Sequence, residues 1–545
     1  MKKLLLFTSI LLAFTSNAQF RLVRQLSNQP DYGPSGFLEY NGKLYFKDSN
    51  SSYVWYSDGT TAGTQQLTLN GNPPTQSGVT NGIVATTKVF NVVKNGELFF
   101  QGNTTFGQTD IYKLTSTSLT NAVVATTLDN NLYPGLSSAF FYPELINNSI
   151  VFSPANPNLT GVGVEPAYYD GANLGFLKNI GVDLPNRRGS YPIFGDKLNG
   201  YLYFSATDGT YGTTGRELYR TDGTAAGTDL FLDLNTGITD SNPTNINLLG
   251  NQLTFVGTHP TLGRELFKTN GNISNLILIK DINTAGDSNP SNVANVGGTL
   301  YFSATNGTSG QELWKSNGTN LGTVLIKDIN ATGDSNPNNF TQVGSDIYFT
   351  ADDGINGIEL WKTNGTSLGT VLVKDITPSG STVFSDFILY NNKLFFIATT
   401  SAYGRELWSS DGTSTGTIVH ELNAGAFSSE TKNIFLYNNE LYIATRGPSF
   451  GTVLHLYAYM DPALSTNKFQ LSDKAIALFP NPSKTYFELL GEVTIEKVQV
   501  YSMLGQLVKT FEKQNQYAIT DIAKGNYIVK INTADGELSK TLIIE

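Results

Sequence analysis

The 545-residue chain contains no cysteine and carries a formal charge of −10. Disulfides, a thiol nucleophile, a cysteine metal site and a lipidated leader cysteine are thereby excluded, and an acidic chain without a basic patch is not a nucleic-acid binder. Hydrophobic residues at 39% and aromatics at 12% supply a core, while 54 glycines and 20 prolines supply turns.

The first element is a leader: Met1-Lys-Lys3 is its basic start, Leu4 to Phe14 its apolar stretch, and Ser16-Asn-Ala18 a small-residue cleavage site before Gln19. Export with cleavage near Ala18 is the expectation. No later run reaches the ~18 apolar residues that a spanning helix needs.

A repeat follows. Glu217, Glu265, Glu312, Glu359 and Glu406 open copies of one motif and lie 48, 47, 47 and 47 residues apart. Periods of this size belong to solenoids and propellers. One unit holds four β-type runs: Phe340–Val343, Asp346–Thr350, Ile358–Lys362 and Thr370–Lys374. The first and second runs are joined by two-residue turns such as Asn41-Gly42, Asn199-Gly200, Gly297-Gly298, Gly344-Ser345 and Asn391-Asn392. That composition suits a type I′ hairpin with positive φ at both central residues. Each unit is therefore expected to be a four-stranded antiparallel blade of a β-propeller.

Counting second strands gives nine units, led by Leu44, Leu98, Ile150, Leu202, Leu253, Leu300, Ile347, Leu394 and Leu441. The last unit ends near Leu454-His-Leu-Tyr457 without a fourth strand, whereas Phe20-Arg-Leu-Val-Arg-Gln-Leu26 precedes any first strand and matches the fourth-strand pattern Val371–Ile376. The expectation is that the N-terminal strand closes the last blade, since an open ring would leave an unpaired edge. Units between residues 70 and 190 diverge most, which leaves an eight-bladed ring or an open array as alternatives.

The period stops near Asp461-Pro462. Residues 1–18 are read as a signal peptide, 19–462 as the propeller, 463–470 as a linker and 471–545 as a second domain. That domain has seven short runs, from Ala475–Phe479 to Ser539–Ile544, the pattern of a small Ig-like β-sandwich.

Within it, Leu478-Phe-Pro-Asn-Pro482, Val498-Gln-Val-Tyr-Ser-Met-Leu-Gly505, Lys524-Gly-Asn-Tyr-Ile-Val529 and Ser539-Lys-Thr-Leu-Ile-Ile544 resemble the type A C-terminal sorting domain of type IX secretion cargo. The resemblance implies recognition by that secretion machinery and by its sortase-like peptidase. The cargo is then released or attached at the outer-membrane surface. The repeats are similar to exported bacterial proteins carrying Glu-Leu-Trp-x-Ser-Asp-Gly-Thr-x-x-Gly-Thr units, of which Glu406–Thr417 and Glu217–Thr228 are the nearest copies here.

The conspicuous residues read first as structure. Trp55, Trp314, Trp361 and Trp408 occupy one repeated position, as blade packing requires and a ligand platform does not. The aligned glutamates fit a buried hydrogen-bond network better than a pore lining. Asp58, Asp222 and Asp411 in the Asp-Gly-Thr turns suit amide capping, like the Asp-box turns of other propellers. His259 falls in a loop, His420 in a fourth strand, and His455 at the position of Trp408 in the preceding unit. No triad or zinc set follows, and no carboxylate pair stands out for glycoside cleavage.

Loops between second and third strands and loops between units emerge on one face, and such loops usually carry recognition. The function expected is a secreted or surface-attached binding or adhesion protein, monomeric, engaging a surface glycan or a protein. The alternatives are an extracellular polysaccharide-acting enzyme and a calcium-stabilised structural protein. No cofactor is required, but calcium is a candidate at Asp240, Asp287 and Asp334 of the Asp-Ser-Asn-Pro loops and at Asp352 and Asp353, because hard cations favour oxygen ligands.

Overall fold

The structure, a computed structural model, describes residues 20–26, 34–48, 54–69, 91–105, 108–115, 118–127, 140–154, 164–181, 189–209, 212–378, 380–422, 428–447, 454–459, 477–490, 495–502, 506–533 and 536–545. The proposed leader and linker lie outside them. The chain divides into two compact units, Met1–Tyr459 and Met460–Glu545.

The first unit is all-β, and its described residues form nine sheets in chain order, antiparallel but for one added strand. The seventh is typical: Asn338–Val343, Asp346–Asp352, Ile358–Thr363 and Val371–Lys374 pair in sequence as a meander. In the second sheet Thr68–Leu69 adds a fifth, parallel strand beside Ser118–Thr127. The ninth sheet takes Lys432–Tyr437, Glu440–Thr445 and His455–Tyr459 from one end of the unit, and Phe20–Arg24 from the other. Phe20 pairs antiparallel with Tyr459, and Leu22 with Tyr457.

Alternation explains the packing. Second strands are buried on both faces, and each supplies a fully buried ring such as Phe46, Phe204, Phe302 or Phe396. Each hydrophobic cluster then draws on two consecutive sheets. Trp314 of the sixth sheet joins Leu266 and Ile279 of the fifth, Trp361 joins Leu313 and Ile326, and Trp408 joins Leu360 and Val373. The tryptophans are thus packing elements between sheets, each facing its predecessor.

The succession returns on itself. Trp55 and Phe46 of the first sheet pack with Tyr442 and Leu456 of the ninth, together with Val23 of the closing strand and Leu26 just beyond it. Polar contacts repeat the same step. Asn292 Nδ2 donates to Pro337 O at 3.1 Å between the sixth and seventh sheets, and Asn433 Nδ2 donates to Pro34 O at 3.0 Å between the ninth and first.

The hairpin expectation holds in part. Both central residues have positive φ at turns 41–42, 95–96, 199–200, 297–298, 391–392 and 438–439. At three turns only the first residue, Asn147, Gly250 or Gly344, does so, which is the single-positive pattern of a type II′ turn.

The second unit has a three-stranded sheet, Ala477–Phe479, Tyr486–Leu490 and Tyr517–Ala518, and a four-stranded one ordered Leu507–Glu512, Ile495–Ser502, Gly525–Thr533, Gly536–Ile544. Phe487, Tyr517, Val498, Val529 and Leu542 form one core between them. Asn481 of the Phe-Pro-Asn-Pro motif bonds the terminal strand, donating to Thr541 O and accepting from Ile543 N, each at 2.8 Å. This contact gives the separated motifs of the tail a common structural purpose.

Candidate functional site

The Asp-Gly-Thr turns and the recurrent glutamates are taken up by internal hydrogen bonds. In the Asp-Gly-Thr turn, Asp58 Oδ1 accepts from Thr60 N at 2.9 Å and Thr60 Oγ1 at 2.7 Å, Thr60 Oγ1 accepts from Gly63 N at 2.9 Å, and the Ser57 and Thr64 hydroxyls meet at 2.7 Å. The same set recurs at Asp222 and Asp411. Asn317 and Asn364 reproduce it, because only the Oδ1 acceptor is used. The later glycine is obligatory: a Cβ on Gly369 would lie 2.0 Å from Asn364 Oδ1. Asn364→Asp should therefore leave the thermal midpoint nearly unchanged, whereas Asn364→Ala should cost about 1 kcal/mol in denaturant titration.

The glutamates form the second network, and it is buried. Glu217 Oε2 accepts from Leu234 N at 2.9 Å and from Ser241 Oγ at 2.5 Å, while Oε1 accepts from Ser241 N at 2.7 Å. Glu265 with Ser288, Glu312 with Ser335 and Glu359 with Thr382 repeat the arrangement. The serine carbonyl then reaches the following sheet: Ser241 O accepts from Thr258 N at 2.8 Å, and Ser288 O from Thr305 N at 2.9 Å. The Glu217 and Glu265 carboxylates thus tie their own strand, the loop after it and the next sheet. A small residue, Ala206, Gly257, Ala304, Ala351 or Ala398, sits opposite each glutamate across the strand pair and leaves it room.

A sixth glutamate, Glu165, escaped the sequence reading. It accepts from Ile180 N at 3.0 Å, Gly181 N at 2.8 Å and Ser190 Oγ at 2.6 Å. Pro-Ala-Tyr follows it in place of Leu-Trp, and the available clue was spacing: Glu165 stands 15 residues after Ile150, as Glu217 does after Leu202.

Burial pushes Glu165, Glu217, Glu265 and Glu359 up to about 7 and Glu406 to about 8, against the lowering effect of the bonds they accept. Between their ordinary range and these values the folded protein holds protons that the unfolded chain has lost. Stability from these groups is complete below the unfolded pKa and falls as pH rises through the folded one. The melting temperature should accordingly drop by several degrees between about pH 5 and pH 8 in scanning calorimetry, and a flat profile would contradict the burial.

His455 does not occupy the tryptophan position. In register, Thr445 pairs with His455 and Ile443 with Tyr457, as Ala398 pairs with Glu406 and Phe396 with Trp408. Tyr457 therefore stands where the tryptophans do, and His455 stands where the glutamates do. Its Nδ1 accepts from Leu26 N at 3.2 Å, the counterpart of Ile376 N on Glu359. His259 ends the strand Gln252–His259 and is not in a loop; its Nδ1 accepts from Thr261 N at 3.3 Å. His420 lies 2.8 Å from Ser409 Oγ and stacks on Phe395.

The calcium candidates are dispersed. Asp240, Asp287 and Asp334 are exposed, and each Oδ1 accepts the backbone N–H that starts a third strand, from Arg216 at 2.7 Å, Arg264 at 2.8 Å and Gln311 at 2.8 Å. Asp352 accepts from Gly354 N, and Asp353 from Ile355 N, Asn356 N and Asn356 Nδ2. Those bonds, from Asn356 and Ile355, hold the Asp353 carboxyl below its usual range against the raising effect of partial burial. Among the described residues no three His, Cys, Asp or Glu side chains gather to hold a metal ion.

What varies is the loop face. Ile355 is 87% exposed, Val383 62% and Ile358 41%. Ile358 takes the place held by Arg216, Arg264, Gln311 and Arg405; its N–H donates to Ser381 Oγ at 3.0 Å, as Arg405 N donates to Ser428 Oγ, whereas Arg216, Arg264 and Gln311 donate to aspartates. The junction of the seventh and eighth sheets is thus apolar where its counterparts are polar.

Residues 477–545 match the family described as the secretion system C-terminal sorting domain. This tail indicates a type IX-secreted protein, found outside the cell or on its surface, and implies contact with the secretion machinery. No curated protein matches the chain. Among solved structures it is similar to the extracellular domain of a one-component system from B. thetaiotaomicron, at 11% identity and TM-score 0.34, covering 94% of this chain and 69% of that one. It is also similar to a puromycin hydrolase, at 10% identity and TM-score 0.35 over 66% and 58%, and to a Mycobacterium tuberculosis puromycin-hydrolyzing peptidase, at 10% and 0.35 over 66% and 60%. These values assign no activity to this chain. Among the described residues no helix is long and apolar enough to cross a membrane.

Proposed function

We propose that the first unit is a closed nine-bladed β-propeller, joined to an Ig-like sorting module, and that it acts outside the cell as a monomeric, non-catalytic binding or adhesion scaffold. The leader ending near Ala18 would start its export. The observation that carries this reading is the division of labour within the repeat. Its recurrent glutamate, serine, tryptophan and Asp-Gly-Thr residues bond or pack internally, while the exposed Ile355, Ile358 and Val383 stand at the loops of one junction. Recognition on a rigid scaffold belongs to such loops, and an exposed apolar cluster rimmed by polar groups is a common interaction surface. Ile355, Ile358 and Val383 are the residues assigned to contact a surface glycan or protein.

The test compares the mature chain with its Ile355→Asp/Ile358→Arg variant on glycan arrays and on intact bacterial cells. Binding by the parent and loss of most of it in the variant, at unchanged melting temperature, is the expected outcome. Equal binding by both would remove the loop face from the reading, and release of products from a polysaccharide panel would replace it with an enzymatic one.

A further inference from the structure

We infer that the seam where the chain's N-terminal strand completes the ninth sheet is an acid-sensitive latch, with His455 as the group that releases it. The inference rests on the exchange of a carboxylate for an imidazole at one place in a repeated network. In the third to eighth sheets the position is glutamate, an acceptor in either protonation state. In the ninth sheet it is His455, and the amide it holds, Leu26 N, belongs to the residue just beyond the closing strand Phe20–Arg24.

An imidazole accepts through Nδ1 only while that nitrogen is unprotonated. Protonation turns the acceptor into a donor facing the Leu26 N–H, so the bond is lost and two donors oppose each other. His455 is 1% exposed, and burial alone pushes it below the ordinary histidine range. The sign is opposite to that of the glutamates. A depressed histidine contributes stability at neutral pH, and that contribution is lost as pH falls below the unfolded value of about 6.5.

Charged groups also stand on the elements packed round it. On the closing strand Arg21 bonds Glu440 at 2.7 Å and Gly59 O at 2.7 Å, and Arg24 lies over the Trp55 ring. Arg446, beyond the neighbouring strand, donates its backbone N–H to Ser429 O. From the eighth sheet and the loop after it, Glu406 accepts from Ser429 N and His420 meets Ser409, while Glu421 lies beside Glu406. Lys432 lies on the first strand of the same sheet, and Glu430 bonds Ser428 Oγ. None of these contributes to the displacement of His455. Release would free a single five-residue strand while the glutamate-linked sheets stay joined.

Hydrogen exchange on the full chain, read as protection factors at pH 7.5 and pH 5, tests this. Protection of residues 20–26 should fall on the order of tenfold at pH 5, while Val324–Lys327 and Val371–Lys374 keep theirs. His455→Gln supplies an acceptor that does not titrate, and it should abolish the fall at the seam. Unchanged protection of residues 20–26 at pH 5, an equal fall in all fourth strands, or a fall that persists in His455→Gln would overturn the inference. If His455→Gln folds poorly, His455→Glu restores the residue of the sister sheets, an acceptor in either protonation state, and it should likewise show no fall in protection at pH 5.

Discussion

Glu359→Ala should lower stability by about 3–5 kcal/mol, shown as an earlier denaturant midpoint. The side chain is fully buried and accepts from Ile376 N at 2.8 Å, Thr382 Oγ1 at 2.9 Å and Thr377 N at 3.3 Å. Truncation leaves two amide hydrogens without an acceptor, while the Thr382 hydroxyl keeps the Thr377 hydroxyl at 2.7 Å, and a buried donor left unmade costs far more than a bond gains. Glu359→Gln should lose less, since one oxygen remains, although its NH₂ then confronts donors. Asp353→Ala is the control: its bonds stay within one exposed turn, and a loss under about 1 kcal/mol is expected. Equal losses for Glu359→Ala and Asp353→Ala would show that the buried network is not what joins the sheets.

Deletion of residues 20–26 should be comparably severe. Val23 is fully buried and Leu26 nearly so, and together they fill the cluster that includes Trp55, Phe46, Tyr442 and Leu456. At about 1.5–3 kcal/mol for each buried aliphatic side chain, the loss is on the order of 5 kcal/mol before the backbone ladder is counted. The deletion also uncovers the edge of His455–Tyr459, and an uncovered apolar edge pairs with another chain. Size-exclusion chromatography should show oligomers or aggregate alongside a reduced urea midpoint. A monomer of unchanged stability would mean that the ninth sheet does not need its N-terminal strand.

The substitution and the deletion mark the boundary of what the sequence makes legible. The Asp-Gly-Thr turn was legible because donor and acceptor lie within seven residues: Asp411, Thr413, Gly416 and Thr417 bond one another whatever surrounds them. The glutamate was legible as a recurring buried group, but its partners were not. Ile376 and Thr382 stand 17 and 23 residues away, across a loop of variable sequence. The Asp-Ser-Asn-Pro loops invited a cation for the same reason: the serine's bond to a distant glutamate and the aspartate's bond to a strand amide exist only in three dimensions. Glu165 was missed because the residues after it diverge. His455 was placed two residues off because its third strand has no following turn to count from; the fourth strand comes from the other end of the unit.

The sequence by itself determined the strands, the turns and the period, since alternation, left-handed turn residues and a short-range hydrogen-bond motif are properties of adjacent residues. It also supplied the four tail motifs, all of which lie within the residues that match the sorting-domain family. Only the tertiary structure decided that the described residues of the first unit form nine sheets, that the ninth borrows the strand Phe20–Arg24, and that a histidine replaces a glutamate at that seam. The physical reason is that closure, burial of a carboxylate and the choice of its partners depend on which surfaces meet. Residues separated by more than 400 positions, such as Leu26 and His455, leave no local trace of meeting.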